Sequence, residues 1–166
     1  MSAPILTPLQ PRHLPQALTL QAQAYPAFLV EPGPAFASRL DVAAPFNLAA
    51  EQDGILLAYL LAHGWTRESP PPVGAVLDRA TTGDTLYLHD LAASAAARGT
   101  GIGRLLVEAA FRDAVAAGLT RAELIAIEGA ADYWRRLGFE PGSPSPALAA
   151  KVAQYGPAAQ WMWRAL

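Results

Sequence analysis

The chain has 166 residues, of which 52% are apolar and 16% are charged, which predicts one globular domain over residues 1–166. Twelve basic residues stand against fourteen acidic ones and the pI is near 5.9. Without a basic stripe to neutralise phosphates, nucleic acid is not expected as a partner. The chain has no cysteine, which excludes a disulfide framework, a thiolate metal site and a cysteine nucleophile, and no metal is expected.

The sequence carries no sign of export or of membrane insertion. The first residues form neither a charged leader region nor an apolar run of the secretory type. No apolar run approaches the ~20 residues that a membrane-spanning helix needs. We therefore expect a cytoplasmic protein that has no membrane partner.

The first part of the chain alternates short apolar runs with proline-rich loops. Residues 4–8 predict an edge strand, where prolines are tolerated, and residues 11–24 carry apolar side chains at helical spacing. Residues 25–34 contain three prolines and a glycine, which predict a loop, and residues 35–42 predict a short helix.

A β-hairpin is expected next. The apolar runs 46–51 and 55–63 flank Asp53-Gly54, and Asp-Gly favours a two-residue turn in which both positions have positive φ. These runs should therefore pair as antiparallel strands, and the proline-rich residues 66–72 should form a loop.

The second half predicts strands and helices in alternation. The strands are expected over residues 85–93, 121–127 and 159–164, and the helices over residues 101–117 and 129–137. The two helices end at Gly118 and Gly138, which are natural helix stops. This order indicates an α/β sheet with helices packed on it.

The segment that indicates chemistry is Arg-Gly-Thr-Gly-Ile-Gly at residues 98–103, between a predicted strand and a predicted helix. Glycines at a helix start let a phosphate approach backbone N–H groups, which the helix dipole makes favourable for an anion. A Walker loop is excluded because no Gly-Lys-Ser/Thr is present, and a dinucleotide fingerprint is excluded because Arg104 stands in place of its third glycine. A tight structural turn stays the alternative.

This segment resembles the Arg/Gln-x-x-Gly-x-Gly/Ala motif of the GNAT superfamily of N-acetyltransferases. Residues 133–139, Tyr-Trp-Arg-Arg-Leu-Gly-Phe, resemble the aromatic-x-x-x-Gly-Phe ending of that family. The resemblance covers residues 85–139 well and extends to the hairpin over 48–65. It implies an α/β (α+β) fold with a mixed, mostly antiparallel sheet, flanked by helices and splayed between two parallel strands.

The resemblance also implies an activity: transfer of the acetyl group of acetyl-CoA to a primary amine of a small molecule or a peptide, by direct attack. The amides of residues 99–104 would hold the pyrophosphate, and residues 91–93 would pair with the pantetheine arm. A free amide near Leu91 or Ala93 would donate to the thioester oxygen. The implied cofactor-binding residues are Leu91, Ala92, Ala93, Arg98, Gly99, Thr100, Gly101, Ile102, Gly103, Arg104, Glu128 and Trp134.

The acid and the base are less clearly indicated. Many relatives have a tyrosine acid where this chain has Trp134, and an indole cannot donate a proton usefully. Tyr133 is adjacent and is a candidate, but one helical step of about 100° should aim it elsewhere. Our hypothesis is that neither aromatic is an essential acid. His89, beside the expected thioester position, is the first candidate base, with an ordinary structural histidine as the alternative.

The acceptor amine should lie between the hairpin and the loop that begins at Tyr25. The candidate substrate contacts are Tyr25, Phe28, Glu31, His63 and Trp65, with Glu31 pairing an ammonium group; an ordered cap over the core is the alternative. A different class of function, an acyl-CoA-binding sensor with little turnover, stays open because the tyrosine acid is missing. Closing strands in this family often pair across dimers, so the resemblance leaves a homodimer open.

Overall fold

The computed structural model of the protein describes residues 2–42, 45–79 and 83–166. Within these residues seven strands form one sheet in the order β1-β2-β3-β4-β5-β7-β6. The strands are β1 (Ile5–Pro8), β2 (Leu48–Gln52), β3 (Ile55–Trp65), β4 (Thr85–Ala93), β5 (Arg121–Ala126), β6 (Glu140–Pro141) and β7 (Gln160–Ala165). Only β4 and β5 pair in parallel, and the other described pairs are antiparallel.

Helices cover both faces of the sheet. They are α1 (Leu14–Ala24), α2 (Gly33–Leu40), α3 (Ile102–Ala116), α4 (Ala131–Arg136) and α5 (Pro146–Ala153). On one face α1 and α2 bury Leu20 and Phe36 against Tyr59 of β3. On the other face α3 buries Leu106 against Leu60, so the sheet lies between two apolar layers. No helix in the described part of the chain is both long and apolar enough for a membrane span.

The hairpin confirms the turn prediction. Gln52 pairs with Ile55, and the two residues between them have positive φ, 51° at Asp53 and 79° at Gly54.

The structure departs from the predicted elements where the sequence pattern is weaker. Helix α2 begins at Gly33, inside the predicted loop, and α5 occupies a segment for which no element was predicted.

Strand β4 is irregular in two ways: its register with β3 shifts, and it separates from β5 before its end. The register with β3 shifts, so that Leu61 faces Asp90 but Ala62 faces Leu88, and His89 has no partner residue. This is a β-bulge, which bends a strand and re-aims side chains. Strand β4 also pairs with β5 only as far as Tyr87, after which the two strands separate. The predicted fold class, including the splay between parallel strands, is confirmed.

Candidate active site

A cleft of about 770 Å³ opens where β4 and β5 separate. One wall is the open edge of β4, residues 88–93, and the facing wall is the glycine loop, with Arg98, Gly99 and residues 101–104 at the start of α3. Helix α4 and the loop that begins at Tyr25 close the remaining sides. The volume lies within the range of pockets that hold a cofactor or a small-molecule ligand.

The glycine loop adopts backbone conformations that favour glycine. Gly99 has φ of 76°, and Gly101, which caps the start of α3, has φ of 85°. A Cβ added at either position would meet no heavy atom within 4 Å. The requirement for glycine therefore comes from the backbone conformation and not from crowding.

The start of α3 presents unpaired donors. Among the described residues, no hydrogen-bond acceptor is found for the backbone amides of Gly99, Gly101, Ile102, Gly103 and Arg104. The first helical bond runs from Leu105 to the carbonyl of Gly101, at 3.1 Å. These amides, at the positive end of a 15-residue helix, form a binding place for an anion.

One amide of the predicted set does not belong to this group. The N–H of Thr100 donates to the carbonyl of Ala97 at 3.3 Å, and its hydroxyl donates to the same oxygen at 2.6 Å. Thr100 is absent from the walls of the cleft as described, and so is Glu128, which is exposed beyond β5. The structure therefore does not bring these two predicted contacts to the site.

The open edge of β4 contributes its backbone. Leu91, Ala92 and Ala93, the residues predicted to pair with the pantetheine arm, all line the cleft. The amide of Leu91, however, is not free: it donates to the hydroxyl of Tyr25 at 3.1 Å. The same hydroxyl donates to the carbonyl of Leu91 at 2.8 Å. Because outward-facing groups recur every second residue, the amide of Ala93 faces the same edge.

An ionic cluster lies beside this edge. One carboxylate oxygen of Glu31 bonds Nε2 of His89, and the other lies 2.8 Å from Nη2 of Arg39 and accepts from the amide of Gly74 at 2.8 Å. Burial opposes ionisation of Glu31, but His89 and Arg39 outweigh it and lower its pKa. Gln21 holds the backbone of Glu31 with two hydrogen bonds. Both carboxylate oxygens already have partners in the cluster, and the pairing of Glu31 with an ammonium group stays a prediction.

The hairpin contributes no wall to the described cleft. His63 is fully buried, 6.0 Å from the ring of His89 between centroids, and burial lowers its pKa to about 3. Trp65 packs on His63 and donates to the carbonyl of Ser69 at 2.6 Å. Phe28 is 61% exposed and also lies off the cleft wall. Of the five predicted substrate contacts, Tyr25 and Glu31 line the cleft, and His63, Trp65 and Phe28 do not.

Both aromatic residues of α4 line the cleft. Trp134 is 8% exposed and packs edge-on against Phe139, so it belongs to the core and to the cleft wall at once. The hydroxyl of Tyr133 lies against Gly103, where an added Cβ would come within 2.9 Å of it. The expectation that Tyr133 points elsewhere is therefore wrong, and burial raises the pKa of its hydroxyl.

Sequence reasoning missed two residues of the ionic cluster. Arg39 is fully buried on α2, although the sequence shows only one arginine in a short helix. Gln21 did carry a signal, because it is a polar residue on the apolar stripe of α1 and must find a partner when buried. Tyr155, after α5, lines the same end of the cleft, and burial raises its pKa to about 12.

The splayed parallel pair and the glycine-rich start of α3 define a GNAT-type fold. The sequence comparison agrees, since the model of the acetyltransferase (GNAT) family matches residues 14–139. The match spans most of the chain, and the chain belongs to the GNAT acetyltransferase family.

Solved structures of low sequence identity share the fold. The chain is similar to ribosomal-protein-S18-alanine N-acetyltransferase from Escherichia coli, with a TM-score of 0.71, 18% identity and coverage of 98% of this chain and 94% of the other. It is similar to PaiA N-acetyltransferase from Thermoplasma acidophilum in complex with coenzyme A (TM-score 0.71, 11% identity, coverage 99% and 100%). It is also similar to Arabidopsis thaliana Naa50 in complex with the bisubstrate analogue CoA-Ac-MVNAL. The TM-score is 0.71, the identity is 17%, and the match covers 99% of this chain and 100% of the other. No curated protein matches the chain in sequence.

Proposed function

We propose that the protein transfers the acetyl group of acetyl-CoA to a primary amine of a small molecule or a peptide, and that residues 1–166 act as one such domain. A single observation carries the proposal: unpaired amides at the start of α3 and the open edge of β4 face each other across one cleft. A diphosphate joined to an extended amide-bearing arm needs these two surfaces.

The residues present fit coenzyme A. The five unpaired amides suit the diphosphate; Arg98 and Arg104 add positive charge on the same wall, and Arg136 adds it from α4. The outward-facing backbone of residues 91–93 suits the amides of the pantetheine arm, which would lie along β4 as an added strand. Two structural neighbours, from Thermoplasma acidophilum and Arabidopsis thaliana, were solved with coenzyme A or an analogue that contains it.

The chemistry we propose is direct attack. The amine nitrogen bonds to the thioester carbonyl carbon, the carbon–sulfur bond breaks, and the products are an amide and the free thiol of coenzyme A. The amine loses one proton in this step, and the leaving sulfur takes one up from solvent. Holding the reactants in line supplies much of the rate enhancement, and the proton still needs a base.

His89 is our candidate for that base. It stands on the bulge of β4 and lines the cleft. Its Nε2 is held by Glu31, and Nδ1 is buried and has no hydrogen-bond partner among the described residues. A carboxylate that accepts from one ring nitrogen leaves the other as the proton acceptor, which gives Glu31 a positioning role.

The acceptor would lie at the end of the cleft between Tyr25 and Tyr155, with Leu29 and Val73 beside them. These walls are aromatic and aliphatic, which suits the carbon skeleton of an amine. The peptide part of the analogue bound to the Arabidopsis neighbour and the alanine named for the Escherichia coli neighbour are consistent with a peptide N-terminus as one acceptor class.

A second candidate is an acyl-CoA-binding sensor with little turnover. It is favoured by Trp134, which stands where relatives of the family place a tyrosine acid. It is also favoured by the paired amide of Leu91, which is not ready to receive a thioester oxygen.

Two experiments separate these proposals. Calorimetric titration of the folded protein with coenzyme A and acetyl-CoA should show saturable uptake at one site per chain. Thiol release with a panel of amines and N-terminal peptides should then exceed the rate without an amine. Uptake without amine-dependent thiol release would favour the sensor, and absence of uptake by the folded protein would overturn both proposals.

A further inference from the structure

The hydroxyl of Tyr25 bonds both backbone polar groups of one residue. It accepts from the amide of Leu91 at 3.1 Å and donates to the carbonyl of Leu91 at 2.8 Å. Leu91 lies on the open edge of β4, where no neighbouring strand competes for these groups. The hydroxyl therefore occupies the place that a ligand paired with this edge would take.

If the protein binds acetyl-CoA as proposed, the hydroxyl of Tyr25 lies where the thioester oxygen would bind. An amide that stabilises an oxyanion lies about 2.7–3.1 Å from the oxygen. The phenolic oxygen is at the far end of that range from the amide of Leu91, so it marks where a thioester oxygen paired with Leu91 would lie. A thioester that binds there must displace the phenol by about one atomic diameter, which leaves the hydroxyl next to the acyl group.

Tyr25 is held at this place by its neighbours. It caps the end of α1, and its amide bonds the carbonyl of Gln21 at 3.0 Å, so the side chain starts from a packed helix. Burial of the hydroxyl and the nearby Asp90 carboxylate both raise the pKa of Tyr25, which keeps the phenol protonated at neutral pH. Asp90 itself accepts from the hydroxyl of Tyr59 at 2.6 Å.

We propose that Tyr25 is a catalytic residue: when a thioester pairs with the amide of Leu91, the phenol moves its hydrogen bond from the Leu91 carbonyl to the acyl oxygen. The phenol keeps its proton throughout, and only the acceptor of its hydrogen bond changes. Tyr25 and the amide of Leu91 then both donate to the oxygen as negative charge develops. This donor would come from the end of α1, and it does not require the tyrosine that Trp134 replaces.

The test is the variant Tyr25→Phe, assayed with acetyl-CoA and the best amine found for the wild type. Loss of one oxyanion donor lowers kcat on the order of 10²-fold. Affinity for coenzyme A, which has no acyl oxygen, should stay equal or become tighter, because the phenol no longer competes for Leu91. The control is Thr7→Val, which removes a buried hydroxyl on β1, outside the cleft, and should leave kcat within about threefold.

An infrared measurement gives a signature that a purely structural role would not move. With carbonyl-¹³C acetyl-CoA bound, the wild-type carbonyl band should lie at lower frequency than the band of Tyr25→Phe, because two donors polarise the bond more than one. Replacement of Tyr25 by 3,5-difluorotyrosine keeps the side-chain shape, and a stronger donor should lower the frequency further. If Tyr25→Phe is poorly folded, the carbonyl frequency of the 3,5-difluorotyrosine protein can be compared with that of the wild type instead.

The outcomes separate this role from the proposed function. A wild type that binds acetyl-CoA and turns over, with Tyr25→Phe at wild-type kcat and carbonyl frequency, would overturn the role of Tyr25 alone. Tighter coenzyme A binding without loss of kcat would also overturn it, since Tyr25 would then only occupy an empty site. A folded wild type that takes up no coenzyme A would overturn the proposed function and this role with it.

Discussion

Two glycines at opposite ends of α3 allow the anion site to be tested separately from stability. Gly101 precedes the helix with φ of 85°, and Gly118 follows it with φ of 88°. At both positions an added Cβ would meet no heavy atom within 4 Å. Gly101 lines the cleft and Gly118 does not, so Gly101→Ala and Gly118→Ala differ chiefly in their distance from the site.

The cost to stability should be similar for the two variants. An L-residue in the left-handed region costs about 1–2 kcal/mol. For a domain of this size each kcal/mol lowers Tm by roughly 2–4 °C, so both variants should lose about 2–8 °C. A typical stability of 5–15 kcal/mol is enough for both to remain folded at 25 °C.

The cost to binding should differ. At Gly101 the methyl group adds bulk at the wall that presents the amides of Ile102 and Gly103, and we expect at least one phosphate hydrogen bond to be lost. A hydrogen bond to a charged group is worth about 1.5–3 kcal/mol, which is roughly a 10- to 150-fold loss of affinity. Gly118→Ala should bind coenzyme A as the wild type does.

The measurement is calorimetric titration of coenzyme A into the three proteins, after thermal scans have shown that all are folded at the titration temperature. If Gly101→Ala kept a Kd within threefold of the wild type, the anion would not be held at the start of α3. Equal weakening in Gly118→Ala would assign the loss to helix stability and would equally refute the reasoning.

Three further predictions concern the base, the aromatic wall and a buried carboxylate on β2. His89→Ala should slow acetylation most at pH values where the amine is protonated and the imidazole is neutral and can take its proton; an unchanged pH–rate profile would remove His89 from the mechanism. Tyr133→Phe should keep most of its turnover and its coenzyme affinity, and loss of turnover alone would make Tyr133 an essential acid. Arg12, with His13, holds the pKa of Glu51 at about 2, below its ordinary 4.5. The ionised Glu51 therefore adds to the free energy of unfolding at pH values above its unfolded pKa, and this contribution is lost as pH falls through about 2. Urea unfolding should show Glu51→Gln to be more destabilising at pH 7 than at pH 2.5.

The contacts that build the site were beyond sequence reasoning because they join distant parts of the chain. The bond between Tyr25 and Leu91 spans 66 residues, and the pair Glu31 and His89 spans 58. Strand alternation alone would place Asp90 on the face opposite His89. The bulge at His89 breaks that alternation. Asp90 comes close enough to His89 for the imidazole to act on the carboxyl group and favour a lower pKa of Asp90, against the larger effect of burial, which raises it.

The sequence by itself determined the features that depend on neighbouring residues: the Asp53-Gly54 turn, the periodic helix α3 and the glycines before it. These follow from backbone sterics and side-chain spacing within a few positions. Tertiary structure alone decided that the Glu31 carboxylate is engaged by Arg39 and His89, and that the amide of Leu91 is covered by a tyrosine. The reason is that a buried polar group must find a hydrogen-bond partner, and the packing of the sheet and helices decides which one it meets. That partner is distant in the chain, so the neighbouring residues do not predict it.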